Sequence, residues 1–293
     1  MSEPQAQGPR FGPAGHSESF KTLGFKKTEN APKYVHHFGL SAYEYQAGHG
    51  VRLNPATGTA LAAGFSELGV APSIHAPYYI SLASAEAEKR QNSLDYLLKS
   101  AQAVDILGGN RVIFHLGGGG GMPRDEALGL AAQMLDEARA LLDGEQLAHI
   151  HLCPETMGRK NQLGSLDEIL ALCRRDPRHI PCIDFGHLNA VTGGALKTRA
   201  DFAAVAEAIA GALDDVRAKT FHVHFSKIEF TPAGEKRHLT FEDSVFGPPF
   251  EPFLELVADW KLAPVVICES AGTQAEDARA MMQFYEKYIK MEK

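Results

Sequence analysis

Cysteine is scarce, with four in 293 residues. Their positions, 153, 173, 182 and 268, offer neither a CxxC pair nor a disulfide framework. A reducing cytoplasm is the setting this implies. Long apolar runs are missing too: none approaches the roughly 20 residues that span a bilayer. The stretch Met1 to Pro9 is polar and has no signal-peptide apolar core, so no membrane partner is expected. Positive charge is in deficit, 29 Lys and Arg against 36 Asp and Glu, a net −7. That excludes a strongly basic nucleic-acid coat protein but leaves room for a local basic rim. There is no P-loop, no Ser-His-Asp order and no redox motif. Phe11-Gly-Pro-Ala-Gly15 is a poor match to the glycine-rich phosphate turn of a doubly wound sheet. What is present is an ordinary globular composition, 44% hydrophobic and 22% charged, able to bury a large core. Histidine stands out, with 13 copies. Several close short apolar β-like runs.

Residues 1–10 read as a flexible tail and 11–293 as a single domain. Strand-then-helix alternation predicts eight units. The expected strands are Phe11–Gly15, Ala42–Gln46, Ser73–Tyr78, Arg111–His115, Ala148–Cys153, Ile180–Asp184, Thr220–Phe225 and Pro264–Cys268. Helices are expected at Glu29–Phe38 (capped by Thr28), Ala56–Leu68, Ser84–Leu107, Arg124–Leu142, from Ser165, Ala200–Val216, Pro252–Trp260 and Ala275–Ile289. Ser165 with Glu168 is a capping box, and Gly108-Gly109 is a helix stop. Runs such as Val-Ile-Phe and Val-Val-Ile-Cys suit strands covered on both faces. The α/β class and a (β/α)8 TIM barrel follow, with a doubly wound open sheet as the alternative.

Ligand-type residues mark the C-terminal ends of six consecutive strands. They are His75, His115, Glu155, Asp184, a histidine of the seventh strand, and Glu269. With His222 for the seventh, the intervals are 40, 40, 29, 38 and 47 residues, each one strand–helix unit. In a barrel these ends converge at one mouth. His and carboxylate together are zinc or manganese ligands. Each has a partner two residues earlier (Ser73, Ile113, Cys153, Cys182, His222 and Ile267), so each pair faces the same side, taken as the barrel interior. Parity leaves His222 and His224 open, since both face one way. His187 joins the cluster through Asp184-x-x-His187. Cys153, Cys182 and Cys268 read as small core residues.

These segments resemble endonuclease IV, the family 2 apurinic/apyrimidinic endonucleases, within the xylose isomerase-like barrels. The matching pieces are His75-Ala-Pro-Tyr78, Phe114-His115-Leu-Gly-Gly, Pro154-Glu155-Thr-Met-Gly158, Cys182-Ile-Asp184-Phe-Gly-His187, His222-Val-His-Phe-Ser-Lys227 and Cys268-Glu269-Ser270. The resemblance implies a hydrolase that cuts double-stranded DNA at abasic sites in base-excision repair, a cytoplasmic monomer holding two or three Zn2+, with Mn2+ in part. It implies one metal at His75, His115 and Glu155. Glu155 would bridge to a second held by Asp184, His222 and Glu269, with His222 chosen by alignment on Ser226-Lys227. A third would take His187 and an Asp-x-His pair, where this chain offers His238 but has Lys236 at the Asp position and Glu235 beside it. Glu155 and Glu269 are the implied catalytic carboxylates. Tyr78 matches a DNA-contact position. Arg52, Arg159, Lys160, Lys227 and Arg237 fall in loops at the same mouth, with Lys236 beside the scissile phosphate. Single-metal sugar isomerases and epimerases of the same superfamily use Glu, Asp, His and Glu without the two early histidines, and they provide the alternative function. A metal- or DNA-binding relic is the third.

Overall fold

The computed structural model describes residues 8–292. Most of the expected tail, residues 1–7, lies outside them. Arg10 does not: it opens the first strand, and its guanidinium donates to the carbonyls of Ser41 and Gly69 at 3.1 and 3.0 Å.

The strands are β1 Arg10–Pro13, β2 Ala42–Gln46, β3 Ala71–His75, β4 Arg111–Phe114, β5 His151–Pro154, β6 Cys182–Asp184, β7 His222–Phe225, β8 Lys227–Thr231, β9 Gly234–Leu239 and β10 Val265–Cys268. Two four-stranded parallel ladders run β1-β10-β7-β6 and β2-β3-β4-β5. Parallel bridges Ala14–Glu44 and Glu155–Cys182 join them at both seams and close the barrel. The open-sheet alternative is thereby excluded. At the β1–β2 seam a Cβ on Gly12 would fall 1.9 Å from the carbonyl oxygen of Ala42, so only glycine lets the backbones approach. Gly12→Ala is expected to destabilise the protein by about 3 kcal/mol through overpacking, read from urea unfolding. An unchanged midpoint would show that the seam gives way.

Strand alternation sorts the core into two. Phe114, Leu152, Ile183, Val223 and Val266 face the helices in one large cluster. Ile113, Cys153, Ile180 and Cys182 form a separate inner cluster, and Ala14, Ala42 and Ile267 another. These inner layers are the barrel floor on which the polar mouth sits.

Local signals explain the connecting helices. Ser165 Oγ accepts from the Glu168 amide while the Glu168 carboxylate accepts from the Ser165 amide, opening the helix Leu166–Cys173. Gly108, at φ +79°, stops the helix Ala87–Ile106. Two expectations need correction. Thr28 opens a 3-10 turn, Thr28–Asn30, and the helix proper is Ala31–His37. The segment after β7, for which no strand is expected, holds the antiparallel β8–β9 hairpin. A short helix, Phe185–Val191, also follows β6 directly, capped by the Asp184 side chain.

Candidate metal centre

Glu155 is the hub. Its amide donates to the Phe114 carbonyl at 3.1 Å, which places it just past β5, and the residue is fully buried. One carboxylate oxygen, Oε2, lies 3.2 Å from both His75 Nε2 and His115 Nε2. The other, Oε1, lies 3.1 Å from His224 Nδ1 and 3.4 Å from His187 Nδ1. Glu269 Oε2 approaches His224 Nδ1 at 3.5 Å. Asp184 Oδ1 accepts from the His187 amide at 2.7 Å as a helix cap. Asp184 Oδ2 is buried with no hydrogen-bond partner.

The histidines carry the decisive feature. His75 donates Nδ1–H to the Ala76 carbonyl (2.8 Å), leaving Nε2 facing Glu155. His187 donates Nδ1–H to the Thr156 carbonyl (2.9 Å), leaving Nε2 facing Glu235 Oε2 at 3.3 Å. His224 has Nε2 3.0 Å from Glu44 Oε1, leaving Nδ1 facing Glu155. In each ring both nitrogens lie within 3.3 Å of an acceptor oxygen, the His224 Nε2 contact being close but short of hydrogen-bond geometry. A neutral imidazole has one N–H, so its lone pair would meet a carboxylate oxygen unless a cation lies between. Without metal that cation is a proton. Burial opposes it, yet Glu155 lifts His75 to about 9, Asp184 and Glu155 lift His187, and the surrounding acidic groups lift His224. Burial would likewise raise Glu155, but His224 and His115 pull it well below the usual carboxylate range. Asp184 goes the other way, raised by burial.

The donor set fits metal equally well. Nitrogen–oxygen spacings of 3.1–3.3 Å match the roughly 3.3 Å ligand–ligand edge that bonds of about 2.0 Å make around a tetrahedral zinc. Among the described residues the possible ligand atoms fall into four groups, each within 4.8 Å. Three lie at the mouth, His75/Glu155/His224, Glu155/Asp184/His224/Glu269 and His187/Glu235/His238, and one lies a layer below, Cys182/His222/His224. His115 joins the first through Glu155.

One alignment-based expectation changes. The seventh-strand histidine beside Glu155 and Glu269 is His224, not His222. Register is the reason: His224 pairs with Asp184 at the mouth, and His222 pairs with Cys182 one layer down. Two residues along a strand move a side chain about 6.6 Å. His222 instead meets Glu44 Oε2 at 3.1 Å, and burial pushes it down to about 4, so it stays neutral.

The third group is also rearranged. Between β8 and β9 the pairing shifts from Glu229–Arg237 to Phe230–Glu235, so Lys236 is an extra, bulged residue. The bulge brings Glu235 and His238 to one side, and Glu235 takes the place an Asp-x-His pair would fill. Burial opposes, but the His187 hydrogen bond brings Glu235 down to about 2. Lys236 and Arg237 turn outward, each 2.6 Å from Glu229. The Lys227 ammonium is held by the carbonyls of Phe241 and Asp243. These three cations are therefore engaged away from the cluster, which thins the expected basic rim. Arg52 is exposed on the loop after β2. Tyr78, 56% exposed, lines the cleft of about 400 Å³ above the cluster with His115 beneath its ring. Elemental analysis tests this arrangement. Glu235→Gln should lose one metal per chain, and Lys236→Asp should leave the count unchanged. Full occupancy in Glu235→Gln would sink it.

Glu44, fully buried under the mouth, is the residue that motif reading passed over. Its signal was a carboxylate in Ala42-Tyr-Glu-Tyr-Gln46, on the same face as Gln46, which lines the cleft. Cys153 and Cys268 are buried, their thiols pushed up to about 12 by burial, as core residues.

A family model, the xylose isomerase-like TIM barrel, matches residues 23–288. The chain belongs to this family. An uncharacterized protein of Methanocaldococcus jannaschii is 32% identical over 213 residues, covering 73% of this chain and 76% of that one. A probable endonuclease 4 of Acholeplasma laidlawii is 30% identical over 101 residues, 34% of this chain and 33% of its own length. Among solved structures, endonuclease IV of Thermus thermophilus superposes with TM-score 0.68 at 20% identity, covering 97% of this chain and 100% of that one. A D-tagatose 3-epimerase-like protein superposes with TM-score 0.70 at 17% identity, covering 97% and 99%. The same barrel fold thus occurs in an endonuclease and in an epimerase-like protein. No helix among the described residues is long and apolar enough to cross a membrane.

Proposed function

We propose that this chain is a metal-dependent phosphodiesterase of the endonuclease IV kind, hydrolysing DNA at abasic sites. The observation that carries it is the number of ligand groups. The three at the mouth adjoin one another, and two of them share Glu155 and His224, whereas a sugar isomerase needs one. Two or three Zn2+ ions, with Mn2+ as a substitute, suit the His and carboxylate donors. When bound, such ions supply Lewis acidity and charge to a phosphodiester and its leaving alkoxide.

The chain's own groups do the rest. His75, His115, Glu155, Asp184, His187, His224, Glu235, His238 and Glu269 are the proposed ligands. Glu269, at the cleft with its side chain 15% exposed, would accept the proton of the attacking water. Glu155 lies deeper and holds two imidazoles against each of its carboxylate oxygens. Tyr78 offers its ring to the nucleotide beside the break. Of the rim cations named above, Arg52, Arg159 and Lys160 remain for backbone phosphates.

One observation favours a second reading. Glu155, Asp184, His224 and Glu269 form a four-ligand group by themselves, sufficient for a single-metal epimerase in which Glu155 and Glu269 move a proton between sugar carbons. A duplex carrying one abasic site, incubated with the zinc-loaded protein with and without chelator, separates the two. Chelator-sensitive nicking and two or three metals per chain are expected. No nicking, one metal and epimerisation of a ketose would overturn the nuclease assignment.

A further inference from the structure

Below the mouth lies a charged group that the proposed chemistry does not use. Glu44, on β2, is level with Ser73 in the β2–β3 register, one layer beneath His75. Its Oε2 accepts from Ser73 Oγ at 3.0 Å and from His222 Nε2 at 3.1 Å. Its Oε1 accepts from Gln46 Nε2 at 3.1 Å and lies 3.0 Å from His224 Nε2. A carboxylate offers about four lone-pair positions, and here each meets a nitrogen or hydroxyl. Burying an ionised group is costly unless it is so paired. A glutamine or methionine would fill this volume without charge, so a role for the charge is indicated.

We propose that Glu44 is a positioning residue that holds His224 in the Nε2–H form and thereby presents its Nδ1 lone pair to the cleft. This rests on the metal-centre reading above. A carboxylate behind a ligating imidazole fixes its tautomer and ring orientation and increases its basicity. His75 and His187 obtain the same constraint from backbone carbonyls, Ala76 and Thr156. His224 projects from β7 into the barrel interior, and the group behind its ring is the Glu44 carboxylate, contributed by a strand of the other ladder. His222 anchors the other side of that carboxylate, which accounts for the His222-x-His224 pair: one histidine serves Glu44 and the other is served by it.

The test titrates Zn2+ into metal-free wild type, Glu44→Gln and Glu44→Ala against a competing chelator, with far-UV circular dichroism reporting the fold. Zn2+ affinity should fall about ten- to a hundredfold in Glu44→Ala. Glu44→Gln should fall between, since its amide oxygen can still face Nε2 but carries no charge. A merely structural role would lower the melting temperature of the metal-free variants and leave Zn2+ affinity within twofold of wild type, and that result overturns the proposal. Should Glu44→Ala fail to fold, the isosteric Glu44→Gln decides by the same criterion. Wild type that binds no Zn2+ overturns both this role and the metal centre. Wild type that binds Zn2+ normally but cuts no abasic duplex overturns only the nuclease assignment, and the affinity comparison still judges Glu44.

Discussion

Glu155→Gln should reduce hydrolysis of an abasic-site duplex by about 10³-fold or more, the scale of losing a preorganised electrostatic contact at the reacting centre. Its carboxylate touches four of the proposed ligands: His75 and His115 on one oxygen, His224 and His187 on the other. The amide would place an NH2 where one oxygen now stands. That group cannot ligate a cation, and it sets a donor against the N–H of a protonated imidazole. Metal content should fall with turnover. Glu269→Gln should also lose turnover yet keep metal in the His187/Glu235/His238 group, which Glu269 does not join. Near-normal turnover in both variants, with circular dichroism unchanged, would remove the two carboxylates from the chemistry.

Stripping the metal should lower the melting temperature by about 8 °C or more. A ligand held at 1,000 times its dissociation constant contributes about 4 kcal/mol. Each kcal/mol moves a domain of this size by about 2 °C or slightly more. The size of the drop should depend on pH. His75 in the metal-free fold is raised to about 9 from an ordinary 6.5, against the pull of burial, by its bond to Glu155. A raised histidine contributes stability that is complete below about 6.5 and is lost as pH climbs through about 9. His187 and His224 shift in the same direction. The metal-free protein should therefore weaken between pH 6.5 and 9, while the loaded protein, whose imidazoles are already occupied, should not. The gap between the two melting curves widens with pH. Equal curves after verified metal removal would argue that the groups do not share cations.

Much of the site was legible because strand alternation is a local rule. Side chains two apart share a face, so Ile113 with His115, Cys153 with Glu155 and Cys182 with Asp184 identify the inward set without any coordinates. The inner clusters hold the earlier member of each pair, and Glu155 and Asp184 sit above them. Capping chemistry is local as well, which is why Ser165–Glu168 was readable. By contrast, the resemblance puts Lys236 at the active site, in the Asp position of an Asp-x-His pair, with Glu235 beside it. A bulge, set by how β8 and β9 pair, turns the lysine to Glu229 and delivers Glu235 instead.

By itself the sequence determined the barrel and the donors that stand at its strand ends, because periodicity, caps and residue type act over a few positions. Depth was decided only in three dimensions. Whether His222 or His224 reaches Glu155 and Glu269 depends on the stagger between β6 and β7, where Asp184 lies opposite His224. That stagger is a property of ring closure among eight strands, not of the four residues of β7. Glu44 became visible for the same reason. Its partners His222 and His224 are remote in sequence, and only the closed barrel brings a β2 carboxylate against a β7 imidazole.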